Sequence, residues 1–390
     1  MLGALLAGIA IGLVLRAWGT PTTIMVADAL KPLGRLWVQG LQMTLVPLVF
    51  TMVAGGVAAA VRAGTSARLI GGAMLIFVAL SLVAALLGGV VTTVTLWAWP
   101  LPAEALAGLP TITTAAAGQM MPLVFFAILF GFAATRLPRR DGGGAIALLD
   151  DIAQIMLTIV EWVLWFAPAG IFILSLSAAL HAGLGLASVL GHYVVLEIAS
   201  ALLAITGCYT LIGISEPLAL KRFAKAAMAP QAMAAGTCSS MATLPAMIEA
   251  AITTLGISEP VAGTLLPLAV TCFRFASTAS TMVGITLAAY AAGIHPSAVQ
   301  LILAAVVTVL ANMGSAGLPG AAVVYAVDAP GFQFLGAPLG LIPFYIAAIA
   351  IPDIFLTTAN VTADLTVTML LAGKVAVQQG FPAGVVEAAE

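Results

Sequence analysis

Charged positions are so sparse along this chain that the intervals between them outline its elements. Consecutive charges bracket uncharged stretches at 36–61, 69–103, 105–135, 162–196, 198–215, 226–248, 275–327 and 329–352. A helix needs about 20 apolar residues to cross a bilayer, so these stretches predict membrane helices, and the longest have room for a steep tilt or an added polar loop. No soluble domain fits between them. The apolar run from Leu2 to Val14 lacks a basic n-region and a small-residue cleavage site, and reads as a first membrane helix rather than a signal peptide.

From residue 226 onward the pattern changes. Residues 226–255 run up to a tip of small and polar residues, Gly236-Thr237-Cys238-Ser239-Ser240-Met241-Ala242-Thr243-Leu244-Pro245, and a full-length segment follows at 258–292. The same arrangement recurs. Residues 298–345 rise to Asn312-Met313-Gly314-Ser315-Ala316-Gly317-Leu318-Pro319-Gly320, and the long segment 343–373 after them has charges inside it. Two units of hairpin plus interrupted helix are what inverted-repeat transporters use, because irregular backbone at membrane depth is tolerated only when buried in protein or lining a cavity. Four ordinary helices kinked by Gly and Pro, both frequent in membrane spans, would give the same pattern.

Composition narrows the function classes. Of the 390 residues, 62% are hydrophobic and 7% charged, against roughly 25% charged in a soluble domain, too few to coat a water-facing surface. Thirteen basic and fifteen acidic side chains give a net charge of −2 with no basic run, which excludes nucleic acid as a partner. Cys208, Cys238 and Cys272 form no CxxC and have no neighbouring His, so packing roles are expected and neither a disulfide framework, a metal site nor a cofactor. Basic residues gather at Arg62 and Arg68, at Arg136, Arg139 and Arg140, and at Lys221, Arg222 and Lys225, while 99–118 and 181–190 have none. By the positive-inside rule the N-terminus is cytoplasmic, although Arg16, Lys31 and Arg35 count against it.

Arg274, Asp353 and Asp364 stand inside apolar segments, where a charge costs about 2.5–3.5 kcal/mol on insertion scales and needs a partner. Asp353, Thr357, Asn360 and Asp364 are spaced 4, 3 and 4 apart, so one helical face presents two carboxylates, a hydroxyl and an amide. Such a stripe is a polar pathway or a ligand site: a carboxylate there can bind a cation, take a proton, hold an ammonium group, or neutralise Arg274. Glu161 and Glu197 each stand alone on apolar helices, which predicts snorkelling or interhelical hydrogen bonds. His181, His192 and His295 lie at segment ends, where solvated roles are expected, and Trp97, Trp99, Trp162 and Trp165 suit an interfacial belt. No Ser–His or His–Glu pairing accompanies the apolar segments, so an enzyme is not expected.

With these motifs in order, the chain resembles the dicarboxylate/amino acid:cation symporter family, the glutamate-transporter fold, over nearly its whole length. Ser239-Ser240-Met241-Ala242-Thr243-Leu244-Pro245 is similar to the family's first hairpin tip, Gly314-Ser315-Ala316-Gly317-Leu318-Pro319-Gly320 to its second, and Asn360-Val361-Thr362-Ala363-Asp364-Leu365-Thr366 to its eighth helix. Met43 to Gly56, Gly118 to Gly131 and Phe166-Ala167-Pro168-Ala169-Gly170 look like its second, fourth and fifth helices. The resemblance implies an all-α polytopic membrane protein with eight transmembrane helices and two re-entrant helical hairpins in inverted repeats. It also implies a homotrimeric, elevator-type transporter in the lipid bilayer of the cell (inner) membrane, with both termini cytoplasmic. Residues 1–64 would be scaffold helices 1–2, 65–98 transport-domain helix 3, 99–183 scaffold helices 4–5, 184–374 the rest of the transport domain, and 375–390 a cytoplasmic tail. Asp353 would hold a substrate ammonium group, Asn360 with Ser239 and Ser240 its carboxylate, Leu318 would belong to the gate, and Thr357 would line the pocket.

Two departures from the family pattern shape the expected function. Leu356 stands where acidic-selective members have an arginine, and Ile349 lacks the carboxylate that supports it. In the seventh segment the family's Asn-Met-Asp-Gly-Thr is replaced by Phe273-Arg274-Phe275-Ala276-Ser277, and Leu80 replaces a hydroxyl on the third helix, leaving Ser81. Phenyl rings offer a hard cation no oxygen ligands, so sodium coupling is expected to be weakened or lost, with Arg274 as a built-in cation and Asp364 as its counter-ion. These features together imply a carrier of amino acids, neutral in preference to acidic, driven by protons or exchange. The alternative is a sodium-independent or proton-coupled aspartate/glutamate carrier in which Arg274 binds the substrate carboxylate.

Overall fold

A computed structural model describes residues 1–43, 47, 50, 51, 54, 55, 58, 68–102, 120–136, 139–314 and 321–378. Leu318 and the rest of the second tip, residues 315–320, lie outside the described residues, as do Arg62, the 64/65 boundary and residues 379–390. The described residues form helices and contain no strand.

Four of these helices are long and apolar enough to cross a membrane, spanning Gly72–Ala98, Gly185–Ser215, Glu259–Ala291 and Pro352–Gly373. A fifth span is formed if Ile146–Trp165 and Ala167–His181, bent by 60°, count as one. The bend falls where Phe166 departs from helical geometry and Pro168 opens the next helix, as expected of a residue that fixes φ and has no N–H to give to the preceding turn. The described residues are therefore those of a helical, multi-pass membrane protein.

In chain order the helices are α1 (Leu2–Trp18), α2 (Pro21–Met43), α3 (Arg68–Ala98), α4 (Met120–Arg136), α5 (Arg139–Trp165), α6 (Ala167–Ala182) and α7 (Gly185–Ser215). They continue as α8 (Leu220–Thr237), α9 (Ser240–Thr253), α10 (Glu259–Cys272), α11 (Phe275–Ala291), α12 (Ala298–Gly314), α13 (Ala321–Leu335), α14 (Ile342–Ala348) and α15 (Pro352–Gln378). Two packing groups emerge. α1 and α2 lie mainly on α6, while α3 and α7 pack with α8 to α15. α6 also meets α7 and α14, and α1 meets α14, joining the groups, while α13 touches α4 and α5.

Small residues set the closest approaches. A Cβ at Gly88 of α3 would land on the carbonyl oxygen of Ala279 of α11, and one at Gly8 of α1 on the hydroxyl of Ser175 of α6. Neither glycine is needed for its φ; each is needed for the absence of a side chain, the usual way helices come close in membranes. Threonine hydroxyls on α15 are absorbed locally: Thr358 donates to the Ile354 carbonyl at 2.7 Å, Thr362 to that of Thr358 at 2.7 Å, and Thr366 to that of Thr362 at 2.8 Å. This back-bonding lets a polar helix sit in the core, with 78% of its most apolar window buried.

The α3–α11 contact gives a direct test. Gly88→Ala forces backbone atoms apart, and overpacking of this kind costs roughly 1–3 kcal/mol. Thermal unfolding of the detergent-solubilised protein should show a lowered midpoint for Gly88→Ala, and none for Gly207→Ala, where an added Cβ meets nothing within 4 Å.

Candidate functional site

The chemistry gathers where α10 stops and α11 starts. Phe273 (φ −106°, ψ 78°) and Arg274 (φ −94°, ψ 63°) leave helical geometry in the middle of an apolar span, which strips the first turn of α11 of intrahelical acceptors. The side chain of Asn360 on α15 supplies them. Its Oδ1 accepts from the backbone N–H of Ala276 at 2.9 Å and of Ser277 at 3.3 Å, while its Nδ2 donates to the Ser277 hydroxyl at 2.8 Å. Asn360 is thus a cap delivered from another helix, with one N–H left for a ligand.

A second helix start points at the same place. α8 ends as Cys238 takes a left-handed conformation (φ 49°, ψ 36°), and α9 begins at Ser239, whose hydroxyl accepts from the Ala242 N–H at 3.2 Å. Thr243 donates back to the Ser239 carbonyl at 2.8 Å. This serine N-cap leaves the first N–H groups of α9 directed out of the tip, a setting that favours an anionic group.

Between the two helix starts lies a cavity of about 460 Å³. Of the residues expected at the site, Ser239, Ser240, Phe273, Arg274, Asp353, Leu356, Thr357, Asn360 and Asp364 line it, and Ile349 joins them. Thr357 donates to Asp353 at 3.3 Å, which holds that carboxylate in the first turn of α15, where the helix dipole also favours it. Arg274 is partly exposed to the cavity, and its charge interacts with those of Asp353 and Asp364. It makes no ion pair within 4 Å among the described residues. The expected pairing of Arg274 with Asp364 is therefore an interaction across the site, not a contact. Asp364 is 1% exposed, and its Oδ1 has no hydrogen-bond partner.

Aromatic packing occupies the neighbouring region. Phe273 stacks on Phe77 of α3 with ring centroids 5.0 Å apart and lies tilted against Phe275 at 5.7 Å. Leu80 packs against the same core and Ser81 is 2% exposed beside it. Phe77, unmarked by any sequence motif, completes the cluster.

Several residues were missed or misjudged by sequence reasoning. Asp328 of α13 lines the cavity with Ser280 and Thr281 of α11 and Asn312 of α12; its signal was its isolation between the uncharged stretches 275–327 and 329–352. Glu197 does not snorkel: it is fully buried, with the Ser280 hydroxyl of α11 and the Tyr193 hydroxyl of its own helix beside its carboxylate. His192 is not solvated, because its ring stacks on Trp99 at 3.7 Å and is 1% exposed, with Nδ1 2.8 Å from the Ser188 carbonyl. Cys238 is exposed at the tip, unlike the packed Cys208. Among the described residues no group of three or more His, Cys, Asp or Glu is placed to hold a metal ion.

Comparison with known proteins gives the same direction. The profile of the "Sodium:dicarboxylate symporter family" matches residues 1–106 and 108–374. A proton/glutamate-aspartate symporter of Escherichia coli (strain K12) is 26% identical over 95% of this chain and 91% of its own. Neutral amino acid transporter A of Homo sapiens is 27% identical over 63% of this chain and 46% of its own, so the chain spans less than half of that relative's length. A C4-dicarboxylate transport protein of Rhodospirillum rubrum is 28% identical over 81% of this chain and 74% of its own. These relatives are transporters, not enzymes.

The cap contributed by Asn360 is open to measurement. Asn360→Ala leaves two buried N–H groups without an acceptor, at about 1–3 kcal/mol each, so the thermal midpoint should fall. Asn360→Asp, which keeps the acceptor and loses the donor to Ser277, should fall less.

Proposed function

The chain belongs to the sodium:dicarboxylate symporter family, and from that premise we propose that it is a secondary carrier of amino acids, neutral in preference to acidic, with sodium coupling weakened or lost. The observation that supports the substrate preference is Leu356. It is 4% exposed and presents hydrocarbon to the cavity on the same helix as Asp353, three residues on, so an acidic side chain would find no cation on that wall. Asp353 suits the substrate ammonium group, and the first N–H groups of α9 with the free N–H of Asn360 suit its carboxylate. Neutral amino acid transport by the human relative is in keeping with this reading.

The loss of sodium coupling rests on the Phe77–Phe273–Phe275 cluster. Rings in van der Waals contact leave neither the oxygen atoms nor the room that a hard cation requires. Arg274 supplies a permanent positive charge in the same quarter, and a tethered charge cannot dissociate to couple a gradient. Transport then runs on protons or exchange. The two packing groups, α1, α2 and α6 against α3 and α7 to α15, fit a scaffold and a moving domain in a trimeric elevator-type carrier with re-entrant hairpins at α8–α9 and α12–α13.

A second reading has one observation in its favour. Because Arg274 forms no close ion pair among the described residues, its guanidinium is available to a substrate carboxylate, which would suit aspartate or glutamate, the substrates in the name of the Escherichia coli relative. Against it, Asp328, Asp353 and Asp364 line the same cavity, and a second substrate carboxylate would meet their like charge.

Calorimetry of the purified protein with a panel of amino acids separates the readings. Neutral amino acids should bind more tightly than aspartate, and Leu356→Arg should shift the preference toward aspartate; tighter aspartate binding by the unmodified protein would assign Arg274 to the second reading. Replacing choline by sodium at fixed ionic strength should change the binding constant by less than about tenfold, a coupling below ~1.4 kcal/mol.

A further inference from the structure

A neutral amino acid in the cavity leaves one of its charged groups unanswered. The substrate ammonium group has Asp353, and the substrate carboxylate has the first N–H groups of α9 and the free N–H of Asn360. Arg274 acts on Asp353 and Asp364. Asp364, 1% exposed with Oδ1 unpartnered, is the carboxylate that needs that guanidinium most. Asp328 remains. It stands on α13, 6% exposed, lines the same cavity, and has the Thr281 hydroxyl of α11 next to it. No cationic side chain comes within 4 Å of it among the described residues.

Three carboxylates therefore face one guanidinium in this cavity, and the excess negative charge lies at Asp328. A neighbouring hydroxyl occupies one acceptor position of a carboxylate and brings no charge, so the desolvated anion still gains from a cation that enters the site. The surrounding wall indicates what kind of cation. Val324 lies one helical turn before Asp328 on α13 and Val327 directly before it, and both line the cavity together with Ile349 and Leu356. Hydrocarbon beside a carboxylate suits a charged group held on a methylene stem, which packs on the apolar wall while its head reaches the anion. An ammonium head has three N–H donors, and the hydroxyls of Ser280 and Thr281 line the cavity as further acceptors.

We propose that the site takes amino acids with a second ammonium group at the end of an unbranched side chain, and that Asp328 is the residue that selects them. The methylenes lie along Leu356 and the valines, Asp353 holds the α-ammonium group, and Asp328 holds the terminal one. A cavity of about 460 Å³ has room for such a side chain. This rests on the amino acid carrier reading above and extends its order by one step: acidic side chains below neutral ones, and neutral ones below basic ones.

Calorimetry of the purified full-length protein at neutral pH tests it with matched pairs, each a diamino acid and the neutral amino acid that has a methyl group in place of the terminal ammonium. The pairs are L-2,3-diaminopropionate with L-2-aminobutyrate, L-2,4-diaminobutyrate with L-norvaline, L-ornithine with L-norleucine, and L-lysine with L-2-aminoheptanoate. One diamino acid should bind at least about tenfold more tightly than its neutral partner, as a buried charged acceptor discriminates against a ligand that leaves it unpaired. Asp328→Asn should erase that difference. Asp328→Glu, whose carboxylate reaches one methylene further, should keep a preference and move it toward a shorter diamino acid. A purely structural Asp328 would change both members of a pair alike and leave their ratio where it was. Neutral amino acids that bind as tightly as their diamino partners in the unmodified protein overturn the proposal, whether or not the variants fold, as does a ratio unchanged in Asp328→Asn. Aspartate binding more tightly than every neutral amino acid overturns the reading beneath it and the proposal together. A preference that depends on Asp328, without exchange of radiolabelled L-ornithine in liposomes, overturns the carrier reading alone and upholds the site.

Discussion

Backbone polar groups in a bilayer have to find partners within the protein, and the site is built on one deliberate interruption of that rule. Where α10 ends and α11 begins, a non-helical step at Phe273 and Arg274 exposes N–H groups in the middle of a span, and Asn360 takes them up. Because Asn360 belongs to α15, the interruption fixes the rotation of α15 against α11. That rotation turns Asp353, Leu356, Thr357 and Asp364 toward the cavity. A single amide side chain thus supports the break and orients the polar face that the break creates.

Charge sets the second condition. One guanidinium and several carboxylates share a small space, and none of the described carboxylates comes within ion-pair distance of Arg274. In water such spacing would leave little interaction; in the interior, where the effective dielectric is far lower, a charge several ångströms away still acts strongly. Arg274 therefore works by its field, and it leaves its donors open to whatever enters the cavity.

Much of this was legible in the chain. The uncharged interval 69–103 marked one span, whereas Glu197, Arg274 and the pair Asp353 and Asp364 fall inside the other three; the 4–3–4 spacing put the polar face on α15, and the small-residue tip around Ser239 became a turn between two packed helices. Contacts between distant segments were not legible. Asn360 reads as a ligand-binding amide in sequence and acts as a cap in space, because its partners are 83 and 84 residues away. Phe77 looks like any core phenylalanine until Phe273 lies across it. His192 was misjudged because position along a segment does not say which neighbours close over it, and Trp99 comes from another part of the chain.

The stack of Phe77 on Phe273 has a consequence for how the protein responds to its surroundings. A joint between α3 and α10 held by an ion strengthens and weakens with the concentration of that ion. One held by two phenyl rings has no dissolved conjugate, so dialysis cannot loosen it, and its strength follows temperature instead, since hydrocarbon burial weakens on cooling. Under the proposed reading, a cell that carries this protein has exchanged a joint tuned by salt for one tuned by warmth.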